Sequence, residues 1–322
     1  MVQKFLRVFF ATDLHASEMC FRKFLRAPEI YGADVLIMGG DVTGKQLVPI
    51  VPQKDGSFVS SFFEEKRILR SENEVKAFEE LVSRSGSYPL RTDEDTFRAL
   101  MGDPEKMAQK FQEVALGTVA RWVRMIEEKL SNSKVKVYIT GGNDDDFAIN
   151  EIIDKSSYII NPDCRVVFVD ETHPMASIGY SNITPWKLPR DIPEEELEKR
   201  IDGMLQNAGD VKNCIFNFHV PPVDSTLDTC MRLDASVYPP KPIIHGGQPD
   251  LYGAGSTAVR KAIECYKPLL GLFGHIHESS GMTKIGRTVC FNPGSEYSEG
   301  ILKGLLFTLD EKGLKGHLFT SL

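Results

Sequence analysis

The sequence predicts an α/β fold. Five short apolar runs, FLRVFFATD, ADVLIMGGD, KVKVYITGGND, NCIFNFHVPP and KPLLGLFGHIH, each end in glycine or a polar cluster. Near-continuous apolar runs of this length suit strands covered on both faces. Helical patterns separate several of them, and strands alternating with helices build layered α/β structure. After His277 the pattern turns to β: MTKIG, RTVCFNPG, KGLLFTLDEKG and LKGHLFT read as hairpins closing a sheet. The later strands are therefore expected to be antiparallel or mixed.

Each element has its own justification. The opening MVQKFLRVFFATDLH reads as a first strand, because Lys4 and Arg7 break the unbroken apolar core that a secretory signal requires. Helical spacing follows at Cys20–Ala27, then a second strand ends at Gly39-Gly40-Asp41. The stretch from about residue 45 to 131 holds no comparable buried strand for most of its length. Its QLVPIVPQKDGSFVSSFF suits a hairpin turning at Asp55-Gly56. Helical stretches follow around Glu72–Ser83 and Asp103–Ser131. In the second, Asp103-Pro104 supplies an N-cap and an N1 proline. Val119, Trp122, Val123, Ile126 and Leu130 form a stripe expected to pack on the core. The segment reads as a hairpin-plus-helix insertion in a single domain spanning residues 1–322, placed to overhang a site. Further on, Glu194–Ala208 and Ser256–Tyr266 are helical, the latter with Ser256 as N-cap.

Bulk composition narrows the function classes. The chain has 322 residues, 42% hydrophobic and 26% charged, as soluble globular chains do. A net charge of -7 supplies no overall positive field for nucleic acid, and no apolar run is long enough for a membrane helix. The six cysteines are scattered without a CxxC pair, which suits reduced, mostly buried thiols in a cytoplasmic protein.

The chemistry sits where the strands end. FFATDLH delivers Asp13 and His15, IMGGD delivers Asp41, ITGGND delivers Asn143, FNFHVPP delivers His219, and LFGHIH delivers His275 and His277. Sites in α/β sheets are built at the carboxyl ends of strands. In D-x-H and H-x-H, residues i and i+2 share a face of extended chain and converge. Mixed carboxylate, amide and imidazole donors suit divalent Mn, Fe, Zn or Ni better than Ca or Mg alone. The set exceeds the needs of one ion that keeps open positions. With a bridging carboxylate it serves two, about 3.5–4 Å apart, an arrangement used for phosphate-ester hydrolysis.

In this order, D-x-H, GD, GN, H and GHxH, the motifs resemble those of the calcineurin-like metallophosphoesterases. They span Asp13 to His277, and NPGS at Asn292–Ser295 resembles a late-strand motif of some bacterial and archaeal members. The resemblance implies a four-layer αββα sandwich of two mixed β-sheets flanked by helices. It implies that Asp13, His15, Asp41 and His277 hold one metal, that Asp41 bridges, and that Asn143, His219 and His275 complete the second. It also implies hydrolysis of a small phosphorylated substrate by a metal-bridging hydroxide. The contrasting expectation is a binding scaffold of the same fold that has lost turnover, as the retromer subunit has.

One position departs from the family. Its motif continues GNH, with a histidine that aids leaving-group protonation or steadies phosphate; here Asp144 stands in that place. A free aspartate, with a pKa near ~3.9, donates protons poorly at neutral pH. Asp144 is a candidate acid if its pKa is raised. His245, in the glycine-rich IIHGGQPD, is a candidate replacement that could reach a substrate. A diester with an acidic leaving group needs little proton donation, so a small phosphodiester is favoured over a monoester. Asn182 and Trp186 in GYSNITPW are candidate pocket residues, whereas His173 reads as a loop residue and His317 as structural.

Overall fold

A computed structural model describes residues 5–206, 208–237 and 239–322. Two six-stranded mixed sheets lie face to face. In the first, Leu6–Ala11, Val35–Met38, Lys136–Ile139 and Ile159–Ile160 run parallel. The hairpin Lys303–Asp310 and Gly313–Ser321 extends it antiparallel beyond the first strand. In the second, Pro174–Ile178, Ile215–Phe218, Leu270–Leu272 and Thr288–Asn292 run parallel. Arg165–Phe168 and Gly281–Ile285 close its two edges antiparallel. The late hairpins thus complete both sheets, one each, rather than a single sheet.

Strand alternation sets the layers, because successive side chains point to opposite faces. Val8, Phe10, Val35 and Ile37 face inward to meet Ile215, Leu270, Leu272 and Phe291 between the sheets. Phe9, Ala11, Leu36 and Met38 face outward onto helices Glu18–Phe24, Pro104–Leu130 and Ala148–Asp154. On the far side, Phe216 and Phe218 pack on helices Glu194–Leu205 and Thr257–Tyr266. The result is the expected αββα sandwich. The predicted helix end at Ala208 runs past Asn207, which lies outside the described residues.

Both predicted caps form: Asp103 accepts from the Glu105 and Lys106 amides, and Ser256 accepts from Val259. The stripe Val119, Trp122, Val123, Ile126 and Leu130 joins the outer core, with Trp122 stacked on Phe21 at 4.1 Å. The stretch read as an insertion holds more than a hairpin plus helices. Leu47–Pro52, Phe58–Phe62, Glu65–Leu69 and Tyr88–Arg91 form a four-stranded sheet. Tyr88–Arg91 pairs parallel to Leu47–Pro52 after the helix Glu72–Arg84 crosses over. A small cluster of its own, including Ile50, Phe62, Val75 and Phe78, covers one face. The strands EKRIL and YPLR are short and polar, which hides them from periodicity. All six cysteines are free, but only Cys20, Cys214 and Cys290 are buried, and Cys164 and Cys265 are exposed. No helix among the described residues is long and apolar enough to cross a membrane.

Candidate metal centre

Register brings the motifs together. Ala11 pairs with Met38 and Met38 with Ile139, so the loops carrying Asp13, Asp41 and Asn143 leave the first sheet at one level. In the second sheet, Asn217 pairs with Leu272, which brings the loops carrying His219 and His275 to the same end. Leaving the strands costs backbone freedom. Asp13, His15, Asp41 and His275 all adopt positive φ, between 43° and 67°. Non-glycine residues hold such conformations where the surroundings over-determine them, and these cluster at functional sites. Gly142 is required by crowding, since a Cβ there would strike Asp41 Oδ1 and its backbone nitrogen.

The seven residues form two groups that share Asp41. Asp13, His15, Asp41 and His277 offer donor atoms all within 4.8 Å of one another, as do Asp41, His219 and His275. In the first group, His15 Nε2 lies 3.5 Å from Asp41 Oδ2 and His277 Nε2 lies 3.3 Å from Asp13 Oδ1. In the second, His219 Nε2 lies 3.3 Å from Asp41 Oδ1. Asn143 Oδ1 joins it, 3.1 Å from His219 Nε2 and 3.0 Å from His275 Nδ1. A shared carboxylate, inward imidazole nitrogens and an amide oxygen form a donor set suited to two divalent ions.

Outer contacts fix which atoms face inward. His15 Nδ1 lies 3.2 Å from the Thr43 carbonyl, and His219 Nδ1 lies 3.2 Å from that of Gly39. Partners on the far ring nitrogen orient each ring so that Nε2 points into the cluster. Asn143 Nδ2 donates to Asp191 Oδ1 at 2.9 Å, which turns its oxygen toward the histidines. The NPGS motif ties the histidine loop: Asn292 Nδ2 donates to the Ile276 carbonyl at 3.0 Å, and Ser295 Oγ donates to the Asp13 carbonyl at 2.7 Å.

Charge among these side chains is divided unevenly. Burial works against ionising Asp13 and Asp41, but the neighbouring histidines hold both well below the usual carboxylate range. His219 is opposed by burial yet pushed up to about 9 by Asp41 and Asp13. His275 is pushed down to about 4, first by burial and then by the His219 charge. Burial and Lys45 likewise lower His15.

All three carboxylates of the acidic turn TGGNDDD are engaged. Asp145, fully buried, accepts from the Val42, Thr43 and Gly142 amides and from Thr43 Oγ1. Asp146 accepts from the Ala148 amide at 2.8 Å, beside the helix Ala148–Asp154. Asp144 pairs with Lys45. Beneath the turn, the fully buried Arg190 bonds the Asp145 carbonyl at 2.9 Å and Asp163 at 2.7 Å. Burial, with Asp41 alongside, raises Asp144 to about 6 against the pull of Lys45. Burial alone would lower Lys45, but Asp144 and Asp41 raise it, so its ammonium stays charged.

A cavity of about 430 Å³ opens over the cluster, lined by Asp41, Lys45, Asn143, His275 and His277 on one side. Asn182, Trp186, Met231 and Tyr252 are among the residues on its other walls, as the GYSNITPW segment suggested for the first two. His245 is not brought to this site. It is exposed on a two-residue strand of a hairpin that turns at Gly246-Gly247, and it does not line the cavity. Lys45 was missed in the sequence. Its signal was a lone lysine four residues after Asp41, inside a segment read only as insertion. Arg190 and Asp191 carried no motif.

No family model matches the chain. It is 29% identical over 187 residues to MJ1162 of Methanocaldococcus jannaschii, an uncharacterized protein, covering 56% of this chain and 75% of that one. One solved structure aligns over 98% of this chain and 99% of its own at 16% identity, with a TM-score of 0.57. TT1561 of Thermus thermophilus aligns over 98% of this chain and 99% of its own at 14% identity, with a TM-score of 0.52. At these identities the likeness establishes a shared fold.

Proposed function

We propose that the chain is a calcineurin-like metallophosphoesterase that hydrolyses small phosphoesters with two divalent ions, and that it favours diesters. The observation that carries this reading is Asp41 standing in both donor groups, with a carboxylate oxygen toward each. Two ions there would supply Lewis acidity toward phosphoryl oxygens and activation of water near neutral pH.

The chain's own residues supply the rest. Lys45 lines the cavity beside Asp41, and the carboxylates of Asp144 and Asp41 favour its charged form against burial. It is placed to bind a non-bridging phosphoryl oxygen as a point charge. Asp144 keeps Lys45 in position and stands 3.7 Å from His15 Nδ1. Burial raises its carboxyl to about 6, the condition for an acid role, but the Lys45 ammonium engages it; we read it as a positioning residue, with weak proton delivery to a poor leaving group. That supports diesters with acidic leaving groups over alkyl monoesters. The convergence of all seven donors leaves nothing specific to favour a scaffold without turnover.

The test is a manganese-supplemented assay with bis(p-nitrophenyl) phosphate and p-nitrophenyl phosphate, with metal content measured on the same sample. Hydrolysis of the diester by a sample holding close to two ions per chain is the expected result. Absence of turnover in a fully loaded sample with these and a wider phosphoester panel would favour the scaffold.

A further inference from the structure

A second cavity, of about 800 Å³, lies under the inserted helix Pro104–Leu130. It shares one wall with the cavity over the metal cluster. Lys45 lines both. Elsewhere along that wall, neighbouring residues face opposite chambers: Asn143 and Leu188 line the first, while Asp144 and Pro189 line the second. The seam between the chambers therefore runs along the edge of the candidate metal centre, where phosphorus would sit.

We infer that the two chambers are one divided binding site, with the second chamber taking the second ester group of a phosphodiester. This rests on the phosphoesterase reading above and extends it to the shape of the substrate. A monoester has a single organic group and would leave one chamber without contact. The new chamber is lined by Leu47, Met107, Phe111 and Leu116, which favour an apolar or aromatic group. Glu105 and Asp146 add negative charge there, and Gln112 is tied to Asp146 at 2.9 Å. With Asp144 paired to Lys45, the two further carboxylates disfavour a second phosphate, so the chamber suits an uncharged group better than an extended oligonucleotide or polyphosphate. The insertion thereby acquires a role: its long helix packs on the core through one face and roofs a specificity chamber with another.

The test is calorimetric binding to the manganese-loaded, full-length protein, with diphenyl phosphate, dimethyl phosphate and inorganic phosphate as probes. Ala108 is exposed on the inserted helix and lines the second chamber. Ala108→Trp fills that space without touching the metal residues, and Phe111→Ala removes the aromatic wall as a second route. Either variant is expected to weaken diphenyl phosphate by about tenfold, the scale of one lost aromatic contact, with dimethyl and inorganic phosphate within about twofold. Unchanged diphenyl phosphate affinity in both variants, with inorganic phosphate still bound, overturns the two-chamber site alone. Failure of inorganic phosphate to bind the loaded wild type overturns the metal-centre reading and this inference with it.

Discussion

His15 and His277, 262 positions apart, bring their Nε2 atoms within 3.2 Å of each other. His15 Nδ1 is already engaged by the Thr43 carbonyl, which leaves its Nε2 lone pair facing the second ring. A cation between them and the adjoining carboxylates resolves that confrontation. Divalent metal is therefore expected to stabilise the fold, by about 2.7 kcal/mol at a free concentration ~100 times the dissociation constant. Thermal unfolding with manganese, and again after chelation, measures it. Asp41→Asn should abolish most of the shift, since it removes the donor common to both groups.

Metal binding should release protons and strengthen with pH. His219 is raised to about 9 from 6.5 by Asp41 and Asp13 against burial, so in the metal-free protein it is protonated at neutral pH. Ligation through Nε2 must displace that proton. For folding, a raised pKa contributes stability that is complete below the unfolded value of 6.5 and is lost as pH rises through about 9. The metal-free protein should thus lose this contribution between those limits while metal affinity climbs. Titration calorimetry in buffers of different ionisation enthalpy counts the protons.

Lys45→Met should reduce kcat/KM for a diester by about 10–100-fold, the worth of a charge-assisted contact of ~1.5–3 kcal/mol. Asp144→Asn should cost less than about 100-fold in kcat, because it loosens Lys45 without removing it. Since a general acid is worth about 10²–10⁴, a kcat loss near 10³ in Asp144→Asn would mark Asp144 as a proton donor instead. Steady-state kinetics across leaving groups of different acidity separate the two roles.

Arg190→Met should be severe although it lies outside the cluster. It leaves Asp163 buried without its cationic partner and unties the turn that carries Asn143. Removing one member of a buried pair costs about 3–5 kcal/mol. Denaturant unfolding of the metal-free variant reads that loss directly, apart from any effect on turnover.

Much of the site was legible because its residues are polar groups at the ends of apolar strands, where composition changes abruptly. Asp13, Asp41, Asn143, His219 and the Gly274-His275-Ile276-His277 turn all announce themselves in this way. The two sheets were legible for the same reason, since Val35–Met38 and Ile215–Phe218 are almost wholly apolar. What stayed hidden depends on distant partners. Lys45 acquires its role only when Asp144 is folded beside it, and Arg190 only when Asp163 and the acidic turn close over it. The strands Glu65–Leu69 and Tyr88–Arg91 are hidden in the sequence because a sheet with a small core of its own needs few apolar residues. His245 illustrates the converse: a histidine in a glycine-rich loop looks available, but it is exposed on its hairpin and does not line the cavity.

The central claim is that seven remote side chains hold two ions through one shared carboxylate. Crystals grown with manganese, with anomalous differences collected at an energy above the metal edge, test it most directly. Two peaks about 3.5–4 Å apart are expected, with Asp41 in contact with both and Asn143, His219 and His275 around one of them. Under saturating manganese, a single peak away from Asp41, or none, would contradict it.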